Sequence, residues 1–480
     1  MFDDLETDYF DSDIGVKQGC VLSPILFSLY MNELAKSLEL HDLGIRLSRN
    51  ILISGLFFAD DVVLLAENEQ MLKHMLYLTA DFGTRLKLKF NESKSKILVV
   101  GKKLDPTRKW EMGELRLEEC DSYKYLGIHI ARNLNDNKHI SETLKKANRI
   151  AAACKSTILG HNGFNRFTYG DTLWNSIITP SLNYGCSIWV PSSIKDKNHL
   201  ESTQFQFGKF LFRAPNGTSK ATVLGELGWK SISSLQDRLR LKFYDRLIKM
   251  EEHRWPKMIL LQLFGMIRTG KSITWPWVKH MKNLLTSIGL DHIWCNDSPV
   301  NRHWINSAIR IHNSQQYDIF LSNMTPCKAM VFRNKHELKL EDYLKDPISP
   351  EESILKFKAR AEVLEMEGRK LSWKSYNGNG NCTNCNLQEQ ETVTHFLLIC
   401  PSYSKERISL FTNPEDELTR AGGVFLWETF MSCNAERKKD LLLGYKGPWE
   451  SIIDRHVKKF LYKAWSTRNC NKNGSQSTQH

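Results

Sequence analysis

The spacing of apolar positions changes along the chain. In "SPILFSLYMNELAKSL" they recur at helical intervals, with Leu26, Leu29, Tyr30 and Leu34 forming a stripe. Ser23 suits the N-cap of that helix and Pro24 its first helical position. Then "GLFFADDVVLLAE", Gly55 to Glu67, gives two strand-length apolar runs joined at Asp60 and Asp61, the pattern of a tight hairpin. A second helix is expected from about Glu69 to Leu86, with Met71, Met75, Leu78 and Phe82 on one face. "KSKILVVG" and "YKYLGIHI" read as short strands. From about Asn137 helical spacing dominates. Ile140, Leu144, Ala147, Ala151 and Cys154 repeat along "HISETLKKANRIAAACKSTIL", which Gly160 can end. "RLRLKFYDRLIKM" is a further helix, basic on one side. "NGNGNC" is the sharpest break, and the tail after Arg468 is polar and reads as disordered. The fold class is therefore α+β, with segments expected at 1–132, 133–260, 261–376, 377–410 and 411–480.

Composition narrows the class. A chain of 480 residues, 41% hydrophobic and 25% charged, can bury two or three ordinary globular cores. It contains no apolar run of roughly eighteen residues or more, so no membrane helix is expected. "MFDDLETDYF" is acidic and lacks the apolar core of a signal peptide. Most of the 11 cysteines are scattered, which fits a reducing compartment. The expected location is intracellular, nuclear or cytoplasmic. A net charge of +12 favours polyanionic partners through counterion release.

Two places carry candidate chemistry. Asp60 and Asp61 repel each other unless a cation sits between or beside them, and Mg²⁺ prefers one or two carboxylates plus substrate phosphates. A hairpin tip would present both from a rigid base, as two-metal phosphoryl transfer requires. Read alone, the same pair is equally a solvated turn, since Asp favours turns. The second place is "CTNCNLQEQETVTHFLLIC", a Cys-x2-Cys-x9-His-x4-Cys pattern. Cys382, Cys385, His395 and Cys400 supply the donors of a closed, structural Zn²⁺ site with no open position for catalysis. Such a site could hold a small module that contacts RNA or target DNA.

"FADD", Phe58 to Asp61, resembles the aromatic-Ala-Asp-Asp signature of reverse transcriptases. Upstream, "GVKQGCVLSPILF" resembles the Gly-x-x-Gln-Gly-x-x-x-Ser-Pro-x-Leu-Phe motif of the non-LTR (LINE-type) retrotransposon enzymes. Downstream, "NESKSK" resembles their Asn-x-x-Lys strand, and "YKYLG" their Tyr-x-Tyr-Leu-Gly hairpin. The resemblance implies a partial polymerase palm over 1–132 and a thumb-like helical region over 133–260. A mainly helical connector, a zinc-knuckle-like module over 377–410 and a helical C-terminus would follow. It makes Asp60 the main Mg²⁺ ligand and Asp61 its assistant. Gln18 and Gly19 would lie near the incoming nucleotide and template, and Phe58 replaces the more usual tyrosine. Lys94 becomes a proton donor to the leaving pyrophosphate, though the residue itself reads equally as a surface lysine. Tyr125, Leu126 and Gly127 would position the primer end. Lys145, Lys146, Arg149 and Lys155, and then Arg238, Arg240, Lys242 and Arg246, are candidates for phosphate contact. The implied partners are an RNA template, a DNA primer or target and deoxynucleotides, with no membrane.

The family palm also needs a third carboxylate on an earlier strand, and only seventeen residues precede Gln18. Asp11 and Asp13 stand too close to Gly15 to occupy such a strand. The expectation is thus an N-terminally truncated reverse transcriptase with little or no polymerisation of its own. The alternative is a non-catalytic nucleic-acid-binding remnant that uses the basic helices and the zinc module.

Overall fold

A computed structural model describes residues 20–48, 51–102, 105, 107–160, 164–295, 303–324, 338–345 and 350–476, with side chains as far as Cys470. Gln18 and Gly19 lie outside the described residues. The chain divides into two compact units: Met1–Lys138 with Leu247–Thr274, and His139–Arg246 with Trp275–His480. This division departs from the expected segments, because 247–274 returns to the first unit and 275–480 joins the helices after 138.

The first unit begins with α1 (Ser23–Leu40), the antiparallel pair β1 (Ile45–Ser48) and β2 (Ile51–Ile53), and the hairpin β3 (Gly55–Phe58) and β4 (Asp61–Leu64). After α2 (Glu69–Arg85) come β5 (Lys96–Ile97), β6 (Trp110–Met112) and β7 (Leu115–Glu119), a sheet of order β5-β7-β6. The hairpin β8 (Ser122–Tyr125) and β9 (Ile128–Ala131) closes this run. The arrangement is α+β, with small sheets.

Helix α2 holds the unit together. Asn68 caps it by accepting from the Met71 N–H at 2.9 Å. On one side Met75 and Phe82 are buried with Met31, Leu34 and Leu38 of α1, and Phe57, Val62 and Leu64 of the β3–β4 hairpin pack on the same cluster. On the other side Leu76 is buried with Ile97, Trp110, Met112 and Leu117 of the three-stranded sheet. The expected face Met71, Met75, Leu78 and Phe82 is the one that meets α1.

Helix α1 differs from expectation. Its buried residues are Met31, Leu34 and Leu38, while Leu26, Leu29 and Tyr30 are exposed. The helix starts at Ser23 with Leu22 in the cap position and no side-chain cap. Because α1 is apolar on several sides, periodicity finds the helix and mislocates its buried face.

The second unit is helical. Its main elements are α3 (Asn137–Gly160, whose first two residues belong to the first unit), α4 (Arg166–Leu173) and a π-turn at Trp174–Ile178 that leads into α5 (Thr179–Leu182). Helices α6 (Ile194–Phe212), α7 (Lys220–Leu227) and α8 (Ile232–Lys249) follow. The first unit then takes back α9 (Trp255–Arg268), whose Gln262 donates to the Leu47 carbonyl at 3.0 Å. The second unit resumes with α10 (Pro276–Ser287), α11 (Trp304–Met324), α12 (Asp342–Lys345), α13 (Pro350–Arg360) and α14 (Glu367–Lys370). It closes with α15 (Ser404–Arg420), α16 (Val424–Ser432), α17 (Ala435–Gly444) and α18 (Glu450–Gln476). The last helix runs on past Arg468, where the sequence suggested disorder. No described helix is long and apolar enough to cross a membrane.

Arg240 corrects another expectation. It is 2% exposed and cannot meet solvent-borne phosphates. Its guanidinium donates to Asp237 at 2.8 Å and to the Trp189 carbonyl at 3.0 Å. Trp189 is itself buried, whereas Tyr184 is exposed. Arg240→Leu should therefore cost about 3 kcal/mol by leaving Asp237 with His280, 2.7 Å away, as its remaining partner and the Trp189 carbonyl without its donor, read as a lower urea midpoint. Lys242→Ala, on the exposed side of the same helix, should stay within about 0.5 kcal/mol of the parent.

Candidate catalytic hairpin and metal centre

The β3–β4 hairpin is held by pairing of Gly55 with Leu64, Leu56 with Val63, Phe57 with Val62 and Phe58 with Asp61. A further bond from the Leu65 N–H to the Ser54 carbonyl, 2.9 Å, extends the ladder at its base. Phe57 and Val62 turn toward the α1–α2 core, and Leu56 and Phe58 turn outward. The connection is only Ala59 and Asp60. Ala59 carries φ +50°, the left-handed value that the first position of a tight hairpin turn requires and that glycine usually supplies. The tip is strained, and both aspartates are exposed on it.

The second hairpin is anchored at its base and exposed at its tip. Arg132, just after β9, pairs with Asp121 at 3.1 Å and donates to the Lys102 carbonyl at 2.7 Å. Between β8 and β9 stand Leu126 at φ +44° and Gly127 at φ +82°, both left-handed, the signs of a type I′ turn. Gly127 adopts that conformation freely, and Leu126 does so at a cost. Burial, and then the negative charge of Asp61, push the Tyr125 phenol above its ordinary range. The two hairpins thus bring Asp61 and Tyr125 within electrostatic reach.

Lys94 sits on a turn organised by Asn91, whose side chain accepts from the Lys94 N–H at 3.1 Å and from the Ser93 hydroxyl at 2.7 Å. The Tyr123 hydroxyl of β8 donates to the Lys94 carbonyl at 2.9 Å. The lysine is exposed, and its ammonium forms no ion pair among the described residues. The sequence missed Tyr123 as an anchor; the first tyrosine of "YKYLG" was its signal.

On α3, Lys146 and Arg149 are exposed, Lys145 pairs with Glu142 at 2.9 Å, and the half-buried Lys155 lies over the Phe210 ring. Two of the four expected phosphate contacts are thus open cations.

In the second unit, the donor atoms of Cys382, Cys385, His395 and Cys400 all lie within 4.8 Å of one another. A backbone bridge between Asn381 and Gln390 brings the first two cysteines into a short loop. The π-turn His395–Ile399, closed by a 2.8 Å bond from the Cys400 N–H to the His395 carbonyl, brings the other two ligands together. The Sγ atoms of Cys382 and Cys400 are 3.9 Å apart, and the Cys385 Sγ is 3.4 Å from His395 Nε2. Zinc–ligand bond lengths give tetrahedral edges of about 3.8 Å for two sulfurs and about 3.6 Å for sulfur and nitrogen. The donor set and spacing fit a tetrahedral Zn²⁺. Burial pushes the Cys382 thiol up to about 12 and raises Cys400 as well. A divalent cation is the partner that would let these sulfurs persist as thiolates.

Groups beyond the four donors went unread in the sequence. Glu389 accepts from His395 Nδ1 at 3.0 Å. Arg407 donates to the carbonyls of Leu397 and Cys400 at 2.8 and 2.7 Å. Glu391 is fully buried and takes Arg468 of α18 in two bonds of 3.0 and 2.7 Å. The loop therefore shares its core with α13 and α15–α18.

Residues 5–130 match the reverse transcriptase (RNA-dependent DNA polymerase) family. The chain is 37% identical over 126 residues to the Pol polyprotein of the Drosophila melanogaster type-2 retrotransposable element R2DM, covering 24% of this chain and 12% of that protein. It is 22% identical over 246 residues to a probable RNA-directed DNA polymerase from the Drosophila transposon X-element, covering 50% and 26%. To the RNA-directed DNA polymerase of the Drosophila mobile element jockey it is 24% identical over 207 residues, covering 42% and 21%. The chain thus aligns with between an eighth and about a quarter of each relative's length.

Because Tyr125 is raised on folding, its contribution to stability is complete below about pH 10, the unfolded value, and is lost as pH rises through the folded value. Asp61→Asn removes part of the cause. An alkaline absorbance titration, with Tyr125→Phe subtracted, should then place Tyr125 ionisation lower than in the parent.

Proposed function

We propose that this chain, whose residues 5–130 carry a reverse transcriptase domain of the non-LTR retrotransposon type, serves RNA-templated DNA synthesis. The observation that carries this reading is the β3–β4 hairpin, whose two-residue connection holds Asp60 and Asp61 together and exposed at its tip. Asp60 and Asp61 would hold Mg²⁺, which when bound activates the attacking oxygen and neutralises the phosphates. The primer 3′-hydroxyl would give up its proton to solvent as its oxygen bonds to the α-phosphorus of the deoxynucleotide and the bond to pyrophosphate breaks. Lys94, on its anchored turn, would give the leaving pyrophosphate a proton. Tyr125, Leu126 and Gly127 would seat the primer end. Gln18, Gly19 and Phe58 would face nucleotide and template. Lys146 and Arg149 would contact the backbone of the RNA–DNA duplex. Cys382, Cys385, His395 and Cys400 would hold a structural Zn²⁺.

A second reading is a nucleic-acid-binding protein without polymerisation, favoured by the exposed cations Lys146 and Arg149 on α3 and by the clustered Cys382, Cys385, His395 and Cys400.

Primer extension on an RNA template, in Mg²⁺ and in Mn²⁺, separates the two. On the first reading, extension occurs, against the sequence expectation of little or no polymerisation, and Asp60→Asn lowers it at least about a hundredfold. Binding that weakens with salt, without extension, would establish the second reading. A folded chain that neither binds nor extends would overturn both.

A further inference from the structure

The metal loop contains two glutamates, two residues apart, with different surroundings. Glu391 is spoken for. It is 1% exposed, both its oxygens receive Arg468, and Oε2 also accepts the Glu367 N–H at 2.7 Å. That network ties the loop to α14 and α18 and belongs to the fold. Glu389 is the reverse case. Its side chain is 52% exposed, and the bond its carboxylate makes is the 3.0 Å contact with His395 Nδ1. Its main chain does separate work, accepting from the Cys382 N–H at 2.8 Å.

The imidazole is 2% exposed and its Nε2 points to the Cys385 sulfur. A neutral imidazole carries one proton, so only one ring nitrogen can bind metal at a time. A carboxylate on Nδ1 keeps the proton there, leaves the Nε2 lone pair free and stops the ring from turning over. We infer that Glu389 is the positioning residue of the Cys382–Cys385–His395–Cys400 centre: it fixes His395 as an Nε2 donor and so sets the affinity of the site for a tetrahedral divalent metal. The inference rests on the Zn²⁺ reading above. It goes beyond that reading by assigning an exposed residue that no ligand motif would include.

The exposure of Glu389 makes the test clean, because truncating it leaves the buried Glu391–Arg468 brace intact. The full chain, Glu389→Ala and Glu389→Gln would be compared by Zn²⁺ competition against a chromophoric chelator. The absorption of the Co²⁺-loaded proteins would report on the site, and far-ultraviolet circular dichroism would check folding. Glu389→Ala should bind Zn²⁺ about 10- to 100-fold more weakly with an altered Co²⁺ spectrum. Glu389→Gln, whose amide oxygen can still accept from Nδ1, should recover part of the affinity. A folded Glu389→Ala protein with parental affinity and spectrum would overturn the inference. A parent chain that takes up neither Zn²⁺ nor Co²⁺ would instead remove the metal reading on which it stands. Should Glu389→Ala not fold, Glu389→Gln decides alone: weaker Zn²⁺ binding or an altered Co²⁺ spectrum supports the inference, and parental affinity with a parental spectrum overturns it.

Discussion

A helix that is apolar on two faces must be covered on both, and in the first unit that helix is α2. Met75 and Phe82 call for a layer on one face, Leu76 for another about 100° further round the helix. Each buried side chain of this size contributes about 1.5–3 kcal/mol, so neither layer is optional. The layers are also the supports of the two motif hairpins. Phe57 and Val62 fasten β3–β4 to the first layer, and the sheet on the second layer runs through β7 into β8. A requirement of packing thereby determines where the aspartates and Tyr125 are delivered.

The hairpins share a design. Each is secured at its base by a ladder or an arginine brace and ends in a two-residue turn with a left-handed, non-glycine residue. Ala59 and Leu126 cost stability where they stand, since L side chains crowd the carbonyl in that conformation. The tight turn they permit keeps Asp60, Asp61 and Tyr125 on short, stiff connections. That stiffness is what a site for charge stabilisation requires, because donors and ligands that must reorganise lose their advantage.

Much of this was legible in the chain. The hairpin at Asp60, the face of α2 and the gathering of Cys382, Cys385, His395 and Cys400 follow from period and spacing. Other parts were not, for identifiable reasons. The stripe on α1 was misplaced because Leu26 and Leu29 are as apolar as Met31 and Leu38, and periodicity has no sign. Composition alone makes Arg240 a surface cation. Yet it lies four residues from both Gln236 and Tyr244, on the buried side of α8. The partnership of Glu391 with Arg468 spans 77 residues and no local pattern reports it. The length of α18 was missed because a polar sequence can remain helical when its first turns are docked.

The π-turn between His395 and Cys400 fixes more than the meeting of these two side chains. Side chains five residues apart on a regular α-helix point about 140° away from each other; the wider turn is what lets these two meet. The four-residue spacer is therefore a length standard. One residue added or removed within 396–399 would rotate Cys400 about the turn axis, away from the other three donors. Substitution within the spacer leaves the backbone count unchanged, whereas an insertion or deletion does not. Across relatives that share this cluster, this stretch should drift in identity while keeping its length, a signature of inheritance set by geometry rather than by side-chain chemistry.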